Sequence, residues 1–472
     1  MTKNPGSFKN DLPDLKVNTT YMKTKTSTIL IAFLLLLIIS QPVNSQLPKE
    51  TEAQKMQRMK WWTDARFGMF IHWGLYASPA RHEWVKNHER LTNDQYQKYF
   101  DVFNPDLFNP KDWAKMAKEA GMKYVVITAK HHEGFCLWDS KYTDYKAPNT
   151  PFGRDILKEY VEAFRAEGLK VGFYYSLIDW HHPDYTIDSN HPQRQNSDTA
   201  YARLNKGRDM SKYREYMKNE VRELLTNYGE ISIIWFDFSF PGKNGKGHDD
   251  WDSENLLKMA RSLQPGIIVD DRLDLRDVEG GWDFTTPEQY KVTKWPEYNG
   301  KKVPWETCQT FSGSWGYYRD ETSWKSPSQL LELLIESVSK GGNLLLNVGP
   351  TARGNFDPRA QERLKAMGDW MKFNSRSVYN CTEAPAEFTA PANTILTYNP
   401  VTRRLYIHLL AYPMGNLTLT NMADKIKYIQ LLNDASEVQF SKGRGEAAND
   451  LNLSLPILKP PVEIPVLEVF LK

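Results

Sequence analysis

With 472 residues, of which 40% are hydrophobic, 13% aromatic and 25% charged, the chain is globular and long enough for one large domain and a smaller companion. Lys and Arg number 60 against 58 Asp and Glu, so the charge pattern carries no footprint of a nucleic-acid binder and demands no acidic substrate. The three cysteines, Cys136, Cys308 and Cys381, are too few for a disulfide framework and show no metal-ligand spacing.

In chain order, the first feature is Met22-Lys23-Thr24-Lys25, followed by the apolar run Ile29 to Ile39 and by small and polar residues through Ser45. A basic start, about 7–15 apolar residues and small residues near the cut describe a secretory signal, whereas a membrane span takes roughly 20 apolar residues. Residues 1–46 are therefore expected to be an over-extended start plus a signal beginning at Met22, cleaved near Ser45. That implies export to a periplasm or the extracellular space, with no membrane span retained. An uncleaved anchor is the alternative; in a eukaryotic secretory route, the lesser option, Asn416-Leu417-Thr418 would be a glycosylation sequon.

Between residues 47 and 375, strand-like apolar runs alternate with helical periodicity. Strands are predicted at Phe67–Ile71, Tyr124–Thr128, Val171–Ser176, Ile231–Phe236, Ile267–Asp271 and Leu344–Val348. Helices are predicted at Lys111–Ala120, Asp155–Glu167, Met210–Asn227, Glu254–Leu263 and Ser328–Lys340, with Gly121, Gly168 and Gly229 as C-terminal stop signals. Such alternation implies a parallel sheet, open or closed. No G-x-G-x-x-G or G-x-x-x-x-G-K-[ST] opens a helix, which favours a closed (β/α)8-like TIM barrel as the catalytic domain over 47–375. Past Ser375 the segments Asn393–Tyr398, Arg404–Leu410, Ile426–Leu432 and Val462–Leu471 read as short strands, predicting a C-terminal β-sandwich over 376–472 that supports the barrel.

A barrel holds its active site at the carboxyl ends of its strands. There stand His72 and Trp73, then Lys130 to Glu133, then Asp179 and Trp180 after Tyr174, then Trp235 and Asp237, then Arg272. A metal site finds little support: His131 and His132 are adjacent, so on an extended strand they would face opposite ways, and His82 and His88 are six apart rather than four. No metal or other cofactor is assigned. No G-x-S-x-G elbow supports a serine nucleophile. Paired carboxylates remain, as in retaining glycosidases. Asp237 supplies one; Glu288 and Glu306, both expected in loops after later strands, are open as the second, with Glu306 better suited to anchor a loop by holding backbone amides than to catalyse.

Phe67-Gly68-Met69-Phe70-Ile71-His72-Trp73-Gly74, Lys130-His131-His132-Glu133-Gly134-Phe135-Cys136-Leu137-Trp138, Tyr174-Tyr175-Ser176, Trp235-Phe236-Asp237, Trp305-Glu306, Ser314-Trp315-Gly316-Tyr317 and Gly342-Asn343-Leu344-Leu345-Leu346-Asn347 follow one another in order. Together they resemble the α-L-fucosidases of glycoside hydrolase family 29. The resemblance implies a (β/α)8-like domain with a β-sandwich and metal-free, retaining exo-hydrolysis of terminal α-L-fucosides through a covalent fucosyl-enzyme. Its partner would be a fucosylated oligosaccharide or glycoprotein glycan.

By the same resemblance Asp237 is the nucleophile and Glu288, in Thr-Pro-Glu, the acid/base, with Glu306 the runner-up. His72, His131, His132, Tyr174, Trp235 and Arg272 line the fucose pocket; Glu83, Trp84 and Trp315 close it. Phe238 stands where many relatives have Gly, which bears on the aglycone contacts. Arg and His neighbours are expected to keep Asp237 ionised, and burial beside Asp237 to keep Glu288 protonated. The other reading is a catalytically silent, fucose-binding barrel; a binding protein has no use for the Asp237 and Glu288 pair.

Overall fold

The computed structural model describes residues 50–472, so the expected signal from Met22 to Ser45 lies outside the described residues. Among the described residues no helix is long and apolar enough to cross a membrane.

The predicted helices form with the caps their sequences supply. Asn109, Asp155, Asp209 and Ser326 each accept a backbone N–H at the start of Pro110–Glu119, Ile156–Ala166, Met210–Thr226 and Pro327–Ser339. Two long helices were not predicted: Glu52–Ala65, which opens the described chain, and Pro358–Asn374, which closes the barrel region.

Seven parallel strands curl into the barrel wall. They are β1 (Phe67–Ile71), β2 (Tyr124–Lys130), β3 (Lys170–Ser176), β4 (Ile233–Asp237), β5 (Ile268–Val269), β8 (Glu306–Thr310) and β9 (Asn343–Val348), in the order β5-β4-β3-β2-β1-β9-β8. The two intervening strands, β6 (Glu297–Tyr298) and β7 (Lys301–Lys302), form a separate surface hairpin. Between the edges β5 and β8 runs the segment 284–288, joined in parallel to one side through Asp270 and Phe284 and to the other through Thr285 with Trp305 and Glu288 with Cys308. This irregular eighth stave completes the ring. Its Pro287 lacks an N–H and interrupts regular pairing.

The barrel interior is a packed core rather than a pore. Phe70, Tyr124, Val126, Tyr174, Ile233, Trp235, Phe284 and Leu345 fill it, and Met59 and Trp62 of the helix Glu52–Ala65 join the same cluster. Gly68 is required here, because a Cβ would stand 2.3 Å from the Tyr124 ring.

Glu306 corrects the sequence reading. It lies in no loop: it is the first residue of β8, fully buried, and accepts hydrogen bonds from the Tyr124 hydroxyl and from Trp62 Nε1 at 3.2 Å, not from backbone amides. Burial pushes its carboxyl up to about 7.

The C-terminal part packs two antiparallel sheets face to face. One has the order β10 (Thr394–Asn399), β11 (Arg404–Leu409), β16 (Val466–Leu471) and β13 (Ile426–Leu431); the other has β12 (Asn416–Leu419), β15 (Leu451–Ser454) and β14 (Gln439–Lys442). Leu405, Ile407, Leu417, Leu419, Leu451, Leu453 and Val469 form their shared core. The three-stranded sheet was not predicted, since its strands are four residues long and, in β12, half exposed. Trp370 Nε1 donates to the Ile464 carbonyl at 2.8 Å and His408 pairs with Ser377 Oγ at 3.1 Å, so the sandwich is tied directly to the last barrel helix and the turn after it. The barrel and the sandwich accordingly belong to one compact unit.

A raised folded-state pKa gives the Glu306 carboxyl a stability contribution that is complete below its unfolded value of about 4.3 and is lost as pH rises through about 7. Glu306→Gln removes the titration, so the melting temperature of the variant relative to wild type should rise between pH 5 and pH 8.5. A pH-independent difference would show that burial does not burden this carboxyl.

Candidate active site

Of the residues given a catalytic or sugar-binding role from the sequence, all but one surround one cavity at the carboxyl ends of the strands; Trp73, Lys130, Glu133, Asp179 and Trp180, also at strand ends, do not line it. His72 follows β1, His131 and His132 follow β2, and Tyr174 comes from β3. Trp235 and Asp237 come from β4, where their two-residue spacing puts both on the inner face. Arg272 follows β5 and Glu288 ends the irregular stave. Glu83 and Trp84 arrive from the loop after β1, and Trp315 from the loop after β8. The exception is Glu306, at the opposite end of its strand from the mouth.

The alternation rule does not separate His131 from His132. The pairing of β2 with β3 shifts register between Thr128 and Lys130 and the strand stops there, so both imidazoles face the cavity with ring centres 4.0 Å apart. Among the described residues there is still no group of three or more His, Cys, Asp or Glu arranged to hold a metal ion.

The two carboxylates share one cation. Asp237 Oδ1 accepts from Arg272 Nη1 at 2.7 Å, and Oδ2 accepts from the Tyr174 hydroxyl at 2.7 Å. The other guanidinium nitrogen, Nη2, donates to Glu288 Oε2 at 2.7 Å. Arg272 is held in turn by Nε on Thr286 Oγ1 at 2.9 Å, and its guanidinium lies 4.4 Å from the centre of the Trp235 ring. Burial and then the Asp237 charge push the Tyr174 phenol up, so it stays a neutral donor. The expected burial of Glu288 does not hold: its side chain is 40% exposed. Glu83 does not point free into the cavity either. Its Oε2 accepts the Trp315 and Gly316 amides at 3.2 and 2.8 Å, tying the first long loop to the Trp315 loop.

A family profile described as Alpha-L-fucosidase matches residues 36–376. The chain belongs to the α-L-fucosidase family. It is 43% identical to α-L-fucosidase isoenzyme 1 from Paenibacillus thiaminolyticus, with a TM-score of 0.82 covering 89% of this chain and 99% of that one. A GH29 α-L-fucosidase from Bacteroides thetaiotaomicron, described as a trapped covalent intermediate with 2-fluoro-fucosyl fluoride in a glutamate-to-glutamine mutant, is 31% identical with a TM-score of 0.76, covering 92% and 100%. The plasma α-L-fucosidase of Homo sapiens is 31% identical over 382 residues, 75% of this chain and 76% of that protein. Family membership makes the chain a glycoside hydrolase, and its TIM-like barrel and appended antiparallel sheets are the architecture of these relatives.

Within this α-L-fucosidase cavity the histidine tautomers are fixed from behind. Asn347 Nδ2 donates to the Trp315 carbonyl at 2.7 Å, so its Oδ1 faces His72 Nδ1 at 2.6 Å, and that nitrogen must carry the hydrogen. Ser176 Oγ donates to the Ile178 carbonyl at 2.6 Å, so His132 Nδ1, 2.7 Å away, must also donate. Each ring is left with a bare Nε2, and that of His132 stands 3.9 Å from Asp237 Oδ2. Burial drives both imidazoles down to about 3 and His131 well below its usual value, so all three are neutral at neutral pH. Bare imidazole nitrogens accept hydroxyl protons, which is what a polyhydroxylated ring offers.

Ser176 and Asn347 stand inside stretches that resemble the family, yet no role was read for either, because hydrogen bonds behind a ring leave no trace in one-dimensional spacing. Phe70, which reads in sequence as part of an apolar strand, and Cys308, for which the sequence suggests no site role, also line the cavity. Phe238 lines it too, with a left-handed backbone of φ +79°, a conformation that costs a bulky residue about 1–3 kcal/mol.

Depressed folded-state values mean that the unfolded chain binds protons on these histidines that the folded one refuses. Their contribution to stability is whole above about pH 6.5 and is lost as pH falls toward about 3. The melting temperature should therefore decline steadily below pH 6.5, and His131→Asn should flatten part of that slope in a thermal-denaturation series. An unchanged slope in the variant would remove His131 from the account.

Proposed function

We propose that the cavity binds the terminal fucose of a fucosylated oligosaccharide or glycoprotein glycan, and that the enzyme hydrolyses it with retention, Asp237 as nucleophile and Glu288 as general acid/base. The observation that carries this reading is the single guanidinium of Arg272 hydrogen-bonded to both carboxylates at the rim of one blind cavity. A blind cavity floored by Phe70 and Trp235 suits the end of a glycan rather than its middle.

In the first step Asp237, oriented by Tyr174 and Arg272, attacks the anomeric carbon from the face opposite the leaving oxygen. Glu288 gives that oxygen its proton as the glycosidic bond breaks, leaving a β-linked fucosyl-enzyme. Water then replaces the released alcohol. Glu288 takes its proton, the oxygen attacks the same carbon, and Asp237 departs as a carboxylate, restoring the α configuration. The bare Nε2 atoms of His72 and His132 accept sugar hydroxyls, while Trp235, Trp315 and Tyr174 wall the apolar edge that carries the methyl group. The Glu288 side chain, 40% exposed at the rim, stands where it can meet the leaving group.

We further propose that the segment from Met22 directs export and is removed near Ser45; amino-terminal sequencing of the protein from the culture medium or periplasm should then begin close to Gln46.

For the chemistry, Asp237→Ala should lower fucose release from an aryl α-L-fucoside by at least about 10⁴-fold. Azide separates the carboxylates by stereochemistry. With Asp237→Gly it attacks the α-linked substrate directly and yields β-fucosyl azide; with Glu288→Ala it intercepts the β-linked fucosyl-enzyme and yields α-fucosyl azide. Glu306→Gln should stay within about tenfold of wild type, since its carboxyl is outside the cavity. Azide rescue at position 306 with none at 288 would overturn the assignment.

A further inference from the structure

Phe238 is the one cavity-lining residue whose backbone is left-handed, and its ring is half exposed. Glycine adopts that conformation freely and phenylalanine does not, so the ring is held there by its contacts. It meets Trp84 with ring centres 5.3 Å apart, His132 edge-on at 4.9 Å and Phe240 edge-on at 5.5 Å. Trp84 and Phe240 are half exposed as well, although Phe240 lies beyond the cavity lining. The three rings thus form a ledge that starts at the residue next to Asp237 and runs outward from the mouth.

The depth of the rings separates two roles. Phe70, Tyr174 and Trp235, at the floor, are each no more than 1% exposed and wall the space assigned to fucose. The ledge stands at the boundary with solvent, where the group attached to fucose must emerge. It carries no charge, and the cation of the cavity lining, Arg272, is already shared between Asp237 and Glu288. An uncharged aromatic face suits the C–H face of a pyranose, whose weakly positive hydrogens sit on the π cloud.

We propose that Phe238, with Trp84 beside it and Phe240 beyond, forms the binding subsite for the leaving sugar, making Phe238 a specificity-determining residue that favours a pyranoside over a small leaving group. The proposal rests on the reading that fucose fills the cavity and Asp237 attacks it.

The test compares kcat/KM for α-L-fucosyl fluoride, whose leaving atom is too small to reach the ledge, with that for a disaccharide of fucose linked to a second pyranose. Both Phe238→Ala, which keeps the backbone strain and removes the ring, and Phe238→Gly, which removes both, are measured. Each variant should lose about tenfold on the disaccharide, mainly through KM, and no more than about threefold on the fluoride. The Gly variant should melt at a higher temperature than the Ala variant, because only glycine relaxes at this φ. Equal losses on the two substrates, or no loss on either, overturn the subsite. A wild-type enzyme inactive on both substrates would instead overturn the underlying α-L-fucosidase chemistry.

Discussion

The mouth is organised by one guanidinium: Arg272 donates one nitrogen to Asp237 and another to Glu288, each at 2.7 Å. The rest of the mouth follows from where this guanidinium is held. Thr286 supports it from the irregular stave, Asp271 accepts from Thr286 in turn at 3.0 Å, and Trp235 offers its ring as a floor. A carboxylate at the end of an apolar strand is therefore not an isolated buried charge. It accepts from a guanidinium that is itself anchored, through Thr286 and then Asp271, on the neighbouring barrel segments.

The same logic works in the opposite sense at the far end of the barrel. Glu306 is as buried as any residue in the molecule, yet its neighbours are an indole and a phenol rather than a cation, so burial favours the neutral acid. One fold thus contains carboxylates hydrogen-bonded to Arg272 at the mouth and a carboxyl that burial favours in its neutral form beneath the core. The histidines complete the pattern. Dry and propped by Ser176 and Asn347, two of them present bare nitrogens instead of charge, which leaves Arg272 as the cation of the cavity wall.

Much of the barrel was readable because six of its staves are apolar runs flanked by amphipathic helices, and burial on both faces leaves such runs no other composition. The two staves that were missed are polar: Phe284-Thr285-Thr286-Pro287-Glu288 and Glu306-Thr307-Cys308-Gln309-Thr310. They hold place through pairing with neighbours distant in sequence, and no local preference announces them. The short strands of the three-stranded sheet escaped for the same reason, and the helix Pro358–Asn374 was passed over although Asp357 and Pro358 are good start signals.

The amino-acid sequence by itself determined the family, the alternation that builds the barrel, and the set of side chains around the cavity, because residue type and order at strand ends are one-dimensional information. It left two glutamates in competition. Only the tertiary structure shows where each lies, Glu288 ending a stave at the mouth and Glu306 beginning one at the base, a difference of direction along a strand that sequence cannot display. It likewise brought His131 and His132 to the same face, by ending β2 before the alternation could divide them. Which ring nitrogen of His72 and His132 carries the hydrogen was decided by partners tens to hundreds of residues away, and such partners exist only once the chain has folded.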